Sequence, residues 1–294
     1  MASIRDLQWK EFFLKLYEES FEVDIFSRAA QVAFYFSFSL FPLLFFLVSL
    51  FGLILESTGE LKQELFEYLR QLLPWSAFVL VRDTVNEITE GSTTGKLTLG
   101  LAIMLWSASA GIDSVRNALN SIFHLTETRT WFRTKGESLL LTLVLIILIA
   151  LILGIVFYGW QLVRISLGGI GLDVNSPWIL VAIQWISVLL LLLLACEIFY
   201  NLLPNFKKRR WLWITPGTVV AIILWLLLTN GFKLYLQYFN TYNRAYGSLG
   251  AVIILMLWLY LTAVALLVGG TINSVLIAMR EGSRSDEAKP NKIV

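Results

Sequence analysis

Two kinds of apolar pattern alternate along this chain: short stretches with helical spacing, and long stretches that are apolar almost without a break. Trp9, Phe12, Phe13, Leu16 and Tyr17 fall at i, i+3, i+4, i+7 and i+8, and Lys10, Glu11, Lys15, Glu18 and Glu19 lie largely off that face. This spacing predicts an amphipathic helix within residues 1–28 that lies on a membrane surface. Six long runs follow, near 29–56, 97–123, 138–160, 178–203, 212–236 and 248–279. A hydrocarbon core of ~30 Å takes roughly 20 helical residues to cross, so each run is long enough. The prediction is an all-α integral membrane domain over 29–279 with six transmembrane helices. Within 57–96, Leu61, Leu65, Leu69 and Leu72 share one face up to Pro74, and Phe78, Val81, Val85 and Ile88 share another. They predict two amphipathic helices at the outer interface, between the first and second spans. Residues 280–294, polar and ending in "GSRSDEAKPNKIV", read as a disordered cytoplasmic tail.

Composition agrees: 57% of the 294 residues are apolar, and the mean hydropathy is +0.72. Aromatic residues near the ends of the runs, among them Trp75, Tyr158, Trp160, Trp178, Trp211, Trp213 and Tyr260, form an interfacial belt. Cys196 is the single cysteine, so no intrachain disulfide forms, and His124 as the single histidine excludes a histidine-built metal site. No cofactor is implied. The first 28 residues lack the apolar core of a cleavable signal. With the N-terminus inside, the cytoplasmic segments hold 15 of the 23 basic residues and the outer ones six, which places both termini in the cytoplasm. The "KKRR" run at 207–210 is what topology alone requires at an inner turn. Gly-rich "GGIGLDVNSP", 168–177, is a turn without the spacing of a phosphate loop.

Polar residues inside the runs are the candidate site. Arg28, Gln31, Asp113, Arg116, Asn117, Asn120, Glu197 and Asn201 fall toward the inner ends of the first, second and fourth spans and are expected to form an inner polar cluster. Glu197 is expected to pair with Arg116 or Arg28, and Asp113 with Arg116 along one helical turn. Asn230, Lys233, Gln237, Asn240, Asn243, Arg244 and Tyr246 make an outer cluster around the fifth span and the loop beyond it. The bland alternative is that the long basic side chains snorkel to headgroups while the asparagines join helices. Pro42 should kink the first span. Gly269, Gly270 and Asn273 in "VGGTINS", like the small residues of "WSASAGIDS", invite close helix packing. The second and fifth spans both turn polar toward their C-terminal ends, a weak sign of three-plus-three inverted repeats.

The segments "AAQVAFYFSFSLFPLLFFLVSLFG", "LPNFKKRRWLWITPGTVVAIILWLLL" and "YNRAYGSLGAVIILMLWLYLTAVALLVGGTINS" resemble the YihY / virulence factor BrkB family of bacterial inner-membrane proteins over most of residues 26–275. The resemblance implies six transmembrane helices and a plasma-membrane location, but no agreed activity. Such families usually end the last span in a motif like "GAELN", whereas this chain has "GGTIN", with Thr271 in place of the acid. The family's older ribonuclease label has no support in these residues: the net charge is only +2, and no soluble basic surface carries a general acid and base. The expectation is therefore no enzyme and no nucleic-acid partner. The chain reads as a transporter or lipid or glycolipid translocase whose partners are membrane lipids and a lipid or anionic small-molecule substrate. A homo-oligomer is left open, and the competing reading is a non-transporting scaffold that holds lipids or partner proteins.

Overall fold

The computed structural model describes residues 9–39, 66, 67, 70, 82, 94–168, 177–206, 214–238 and 248–287. Regular structure among them is entirely helical: α1 (Trp9–Glu22), α2 (25–39), α3 (Thr94–Ile122), α4 (Trp131–Gly168), α5 (Pro177–Leu202), α6 (Pro216–Tyr238) and α7 (Ser248–Glu287). Four of these are long and apolar enough to cross a membrane, over Trp131–Ile152, Val181–Leu202, Pro216–Gln237 and Val252–Met279. They answer to the third through sixth predicted spans. The second predicted span is helical as α3, but Asp113, Arg116, Asn117 and Asn120 dilute its apolar character. Of the first predicted span only α2 is described, and Pro42 and nearly all of the helices expected over 57–96 lie outside the described residues.

The core forms where α2, α3, α4, α5 and α7 meet, through Ile25, Val32, Ile112, Leu119, Ile122, Leu141, Leu203 and Leu267. Two joints bend the chain sharply. Asp24 (φ 53°) ends α1 in the left-handed region and then caps α2, its Oδ1 accepting from Ser27 N at 3.4 Å. His124 (φ 49°) ends α3, with Leu125 N bonded to Asn120 O at 2.7 Å and His124 N to Ser121 O at 3.1 Å. This is the paired C-terminal cap a left-handed residue permits, here taken by histidine rather than glycine.

α1 is less of a free surface helix than its pattern predicts. Phe12 is buried against Ile272 and Val275 of α7, with Leu16 beside Val268, Leu276 and Met279. Trp9, Phe13, Tyr17 and Phe21 remain exposed on the other side. α7 runs on to Glu287, well past position 280 where the sequence pattern places a disordered tail.

Candidate functional site

Five of the eight residues of the expected inner cluster are divided among three separate networks, and Arg28, Gln31 and Asn117 stand apart from them. At the crossing of α3 and α4, Asp113 Oδ1 accepts from Arg116 Nη1 at 2.7 Å, and Oδ2 accepts from Lys135 Nζ at 3.0 Å. Ser138 Oγ donates to Asp113 Oδ1 and accepts from Arg116 Nη2 at 2.5 Å. The Lys135 ammonium lies 4.7 Å from the centroid of the Trp106 ring, a cation–π contact. Trp106 in turn leans on Trp131 at 5.8 Å.

Asn120 belongs to a second network, around the α3–α4 connection. Its Nδ2 donates to Glu127 at 3.0 Å, and its Oδ1 accepts from Asn205 N at 2.8 Å. Arg129 donates to both oxygens of Glu127, at 2.8 and 2.7 Å, to Glu137 at 2.5 Å and to the Leu203 carbonyl at 2.9 Å. Asn205 Nδ2 reaches Thr126 O and Thr128 Oγ1. The Arg129 guanidinium bound to it holds the Glu127 carboxyl down to about 2, and Glu127 pushes the Arg129 guanidinium up in return. This clamp ties the α3–α4 connection to the Leu203–Pro204–Asn205 turn.

Glu197 and Asn201 form a third network. Glu197, 2% exposed, makes no salt bridge with Arg116 or Arg28 among the described residues, contrary to expectation. Its Oε1 accepts from Thr215 N at 2.6 Å and Thr215 Oγ1 at 3.1 Å, and its Oε2 from Asn201 Nδ2 at 3.0 Å. The reason is the start of α6. Pro216 has no N–H to satisfy, Gly217 N donates to Asn273 Oδ1 at 2.9 Å, and Thr218 N turns back to Thr215 Oγ1 at 3.4 Å. Thr218 N and Val219 N also reach Thr215 O, at 3.1 and 3.4 Å, so the first donors of the helix are met by side chains and by Thr215, and the positive end of its dipole lies near a carboxyl group. Thr215 gives its one hydroxyl proton to Glu197, so Thr218 Oγ1 must donate to Thr215 Oγ1 across their 2.8 Å contact. Asn273 Nδ2 completes the set, reaching Thr215 Oγ1 at 2.9 Å.

The remaining predicted residues stand apart. Arg28 Nε donates to Val23 O at 2.7 Å, at the end of α1, and Gln31 and Asn117 are exposed. Of the outer cluster, Asn230, Lys233 and Gln237 are exposed along one side of α6, and Asn240, Asn243, Arg244 and Tyr246 lie outside the described residues. Lys233 and Gln237, with Thr229, Phe232, Leu236 and Trp258 of α7, line an open groove of about 480 Å³. Gly269 and Gly270 are buried packing residues: a Cβ on Gly269 would come within 2.5 Å of Gly217 O, and one on Gly270 within 2.9 Å of Leu119 Cδ2. Thr271 is fully buried, and its hydroxyl donates to Leu267 O of its own helix at 3.0 Å.

Residues 16–293 match the virulence factor BrkB family. The chain belongs to that family. Among the chain's relatives, a ribonuclease-like protein of Bacillus subtilis (strain 168), YfkH, is 30% identical over 252 residues, which cover 85% of this chain and 89% of YfkH. A UPF0761 membrane protein of Laribacter hongkongensis (strain HLHK9) is 25% identical over 252 residues, covering 84% of this chain and 57% of that protein. One of Xanthomonas oryzae pv. oryzae (strain PXO99A) is 27% identical over 297 residues, covering 95% and 66%. The chain therefore spans only between half and two thirds of these longer UPF0761 relatives. No solved structure matches it. The BrkB-like motifs in this chain prove to be packing hardware: "LPN" enters the Arg129 clamp, "PG" opens α6, and "GGTIN" seats α6 against α7. Sequence reasoning missed Lys135, Ser138, Thr215, Thr218 and Asn205. The threonines flanking "PG" are a readable helix-start signal, whereas nothing local marks Ser138 as the partner of Asp113.

Proposed function

We propose that this membrane protein of the BrkB family is a transporter or translocase of the cytoplasmic membrane that moves a lipid or glycolipid with a polar or anionic headgroup. The observation that carries the reading is the groove beside Lys233. Lys233 and Gln237 offer donors suited to phosphate or sugar oxygens, while Phe232, Leu236 and Trp258 offer apolar wall for the chain that follows. Such a mixed surface on a helix of membrane-crossing length suits an amphiphile at headgroup depth.

Support for an orientation comes from which ends gather together. Arg129 joins the α3–α4 connection to Leu203 after α5, Ser274 of α7 donates to Ile122 O at 2.8 Å, and Glu19 of α1 meets His124 at 2.6 Å. The basic residues Arg129, Arg133 and Lys135 lie at this same end, which favours a cytoplasmic placement for it and for both termini. The ribonuclease reading gains nothing from the acidic residues at that end, because Arg129 and Arg133 engage Glu127 and Glu137.

The test is headgroup-labelled lipid exchange in liposomes that contain the purified protein. Wild type is expected to accelerate transfer between leaflets, and Lys233→Met to slow it at least tenfold while the helical content is unchanged. Failure of wild type to move any lipid across a panel of headgroups overturns the reading. The scaffold alternative keeps one specific support, the exposed aromatic ribbon Trp9, Phe13, Tyr17 and Phe21 on α1.

A further inference from the structure

The network between α3 and α4 holds more positive charge than it neutralises. Arg116 is 3% exposed, with one terminal nitrogen on Asp113 and the other on Ser138, and its Nε is enclosed without a hydrogen-bond partner. The Lys135 side chain is 11% exposed. A lysine four residues into the span Trp131–Ile152 has a stem long enough to reach water, yet this one folds inward onto Asp113 and the Trp106 ring. Two cations thus face one carboxylate among the described residues, and the nearby acids Glu127 and Glu137 are engaged by Arg129 and Arg133. A buried cation without its counter-charge is costly, and so is a buried N–H without an acceptor. Both deficits are met by one kind of group: a compact anion with several acceptor oxygens.

We propose that Arg116 and Lys135, held in place by Asp113 and Ser138, form a subsite for a phosphate group. Its oxygens accept from Arg116 Nε and Lys135 Nζ, and the half-exposed Trp106 and Trp131 rings flank the approach as an interfacial pair for the body of a lipid. Phosphate chemistry has two sources here, the headgroup of a phospholipid and free inorganic phosphate. The choice of a lipid rests on the translocation reading, whereas phosphate binding itself does not.

The experiment measures binding to the full-length protein in detergent, by native mass spectrometry for phosphatidylglycerol and by phosphorus NMR for inorganic phosphate, with diacylglycerol as the phosphate-free control. Wild type is expected to retain phosphatidylglycerol over diacylglycerol. Lys135→Met, which leaves the Asp113–Arg116 pair in place, is expected to weaken retention at least tenfold, and Lys135→Arg to restore most of it. Displacement of the lipid by millimolar phosphate, or binding of phosphate alone, assigns the same site to the free anion. Equal retention of phosphatidylglycerol and phosphate by wild type, Lys135→Met and Arg116→Lys overturns the proposal. Lipid bound at this site without any transfer between leaflets keeps the subsite and discards translocation; transfer with unaltered binding in the variants does the reverse.

Discussion

Glu197 shows how a carboxyl group within a span can be used without a counter-ion among the described residues. Its oxygens are committed to Thr215 and Asn201, so Glu197→Ala strands the Thr215 N–H and hydroxyl at the start of α6. Each unmet buried donor costs about 1–3 kcal/mol, so a clear fall in the thermal midpoint of the detergent-solubilised protein is expected. Glu197→Gln keeps the acceptor facing Thr215 and should fall less; a Gln variant as unstable as the Ala variant would show that the negative charge itself is needed. Of the pairings read from the sequence, Asp113 with Arg116, one helical turn apart, is present, whereas Glu197 bonds Asn201 and Thr215 rather than Arg116 or Arg28. Thr215 and Ser138 escape notice as partners because they come from other segments, and helical periodicity says nothing about which turn of one helix meets which turn of another.

Between elements, two joints carry testable weight. α6 and α7 approach backbone to backbone at Gly217 and Gly269, where a Cβ on Gly269 would also press to 2.7 Å from Ala221 Cβ. Gly269→Ala is expected to force the helices apart and cost about 1–3 kcal/mol, seen as a lower thermal midpoint, whereas Gly154→Ala on α4, with nothing within 4 Å, should be neutral or better. The clamp between the α3–α4 connection and the Leu203 turn depends on pH. Glu127 ionises at about 2 when folded, against an ordinary 4.5, so its contribution is complete above about 4.5 and is lost as pH falls from there toward 2. Thermal melts taken down that range should show wild type losing stability, and Glu127→Gln, weaker from the outset, changing less. The small-residue packing at Gly269 and Gly270 was legible in the sequence; the clamp was not, since Glu127 and Arg129 sit in a short loop that reads as topology alone.

Across the whole molecule, hydropathy identifies the four spans within α4, α5, α6 and α7 because each carries a long run almost free of charge. It serves less well at α3, where four polar residues share the C-terminal half, and it cannot tell that α1 rests one face on α7. If the end that holds Arg133 is cytoplasmic, a cysteine placed there in a Cys196→Ser background should react with impermeant thiol reagents only from inside, and one at Lys233 only from outside. The reverse labelling would invert the protein in the bilayer. The start of α6 has a consequence for how the chain is built. Ribosomes deliver α6 before α7, yet the acceptor for Gly217 N is Asn273, 56 residues later. Until those residues emerge, the leading turn of α6 lacks that acceptor and must keep to water or to the insertion machinery. α7 therefore acts as a bolt slid home only after α6 has been made, and chains cut short before Asn273 should be recognised as unfinished and degraded.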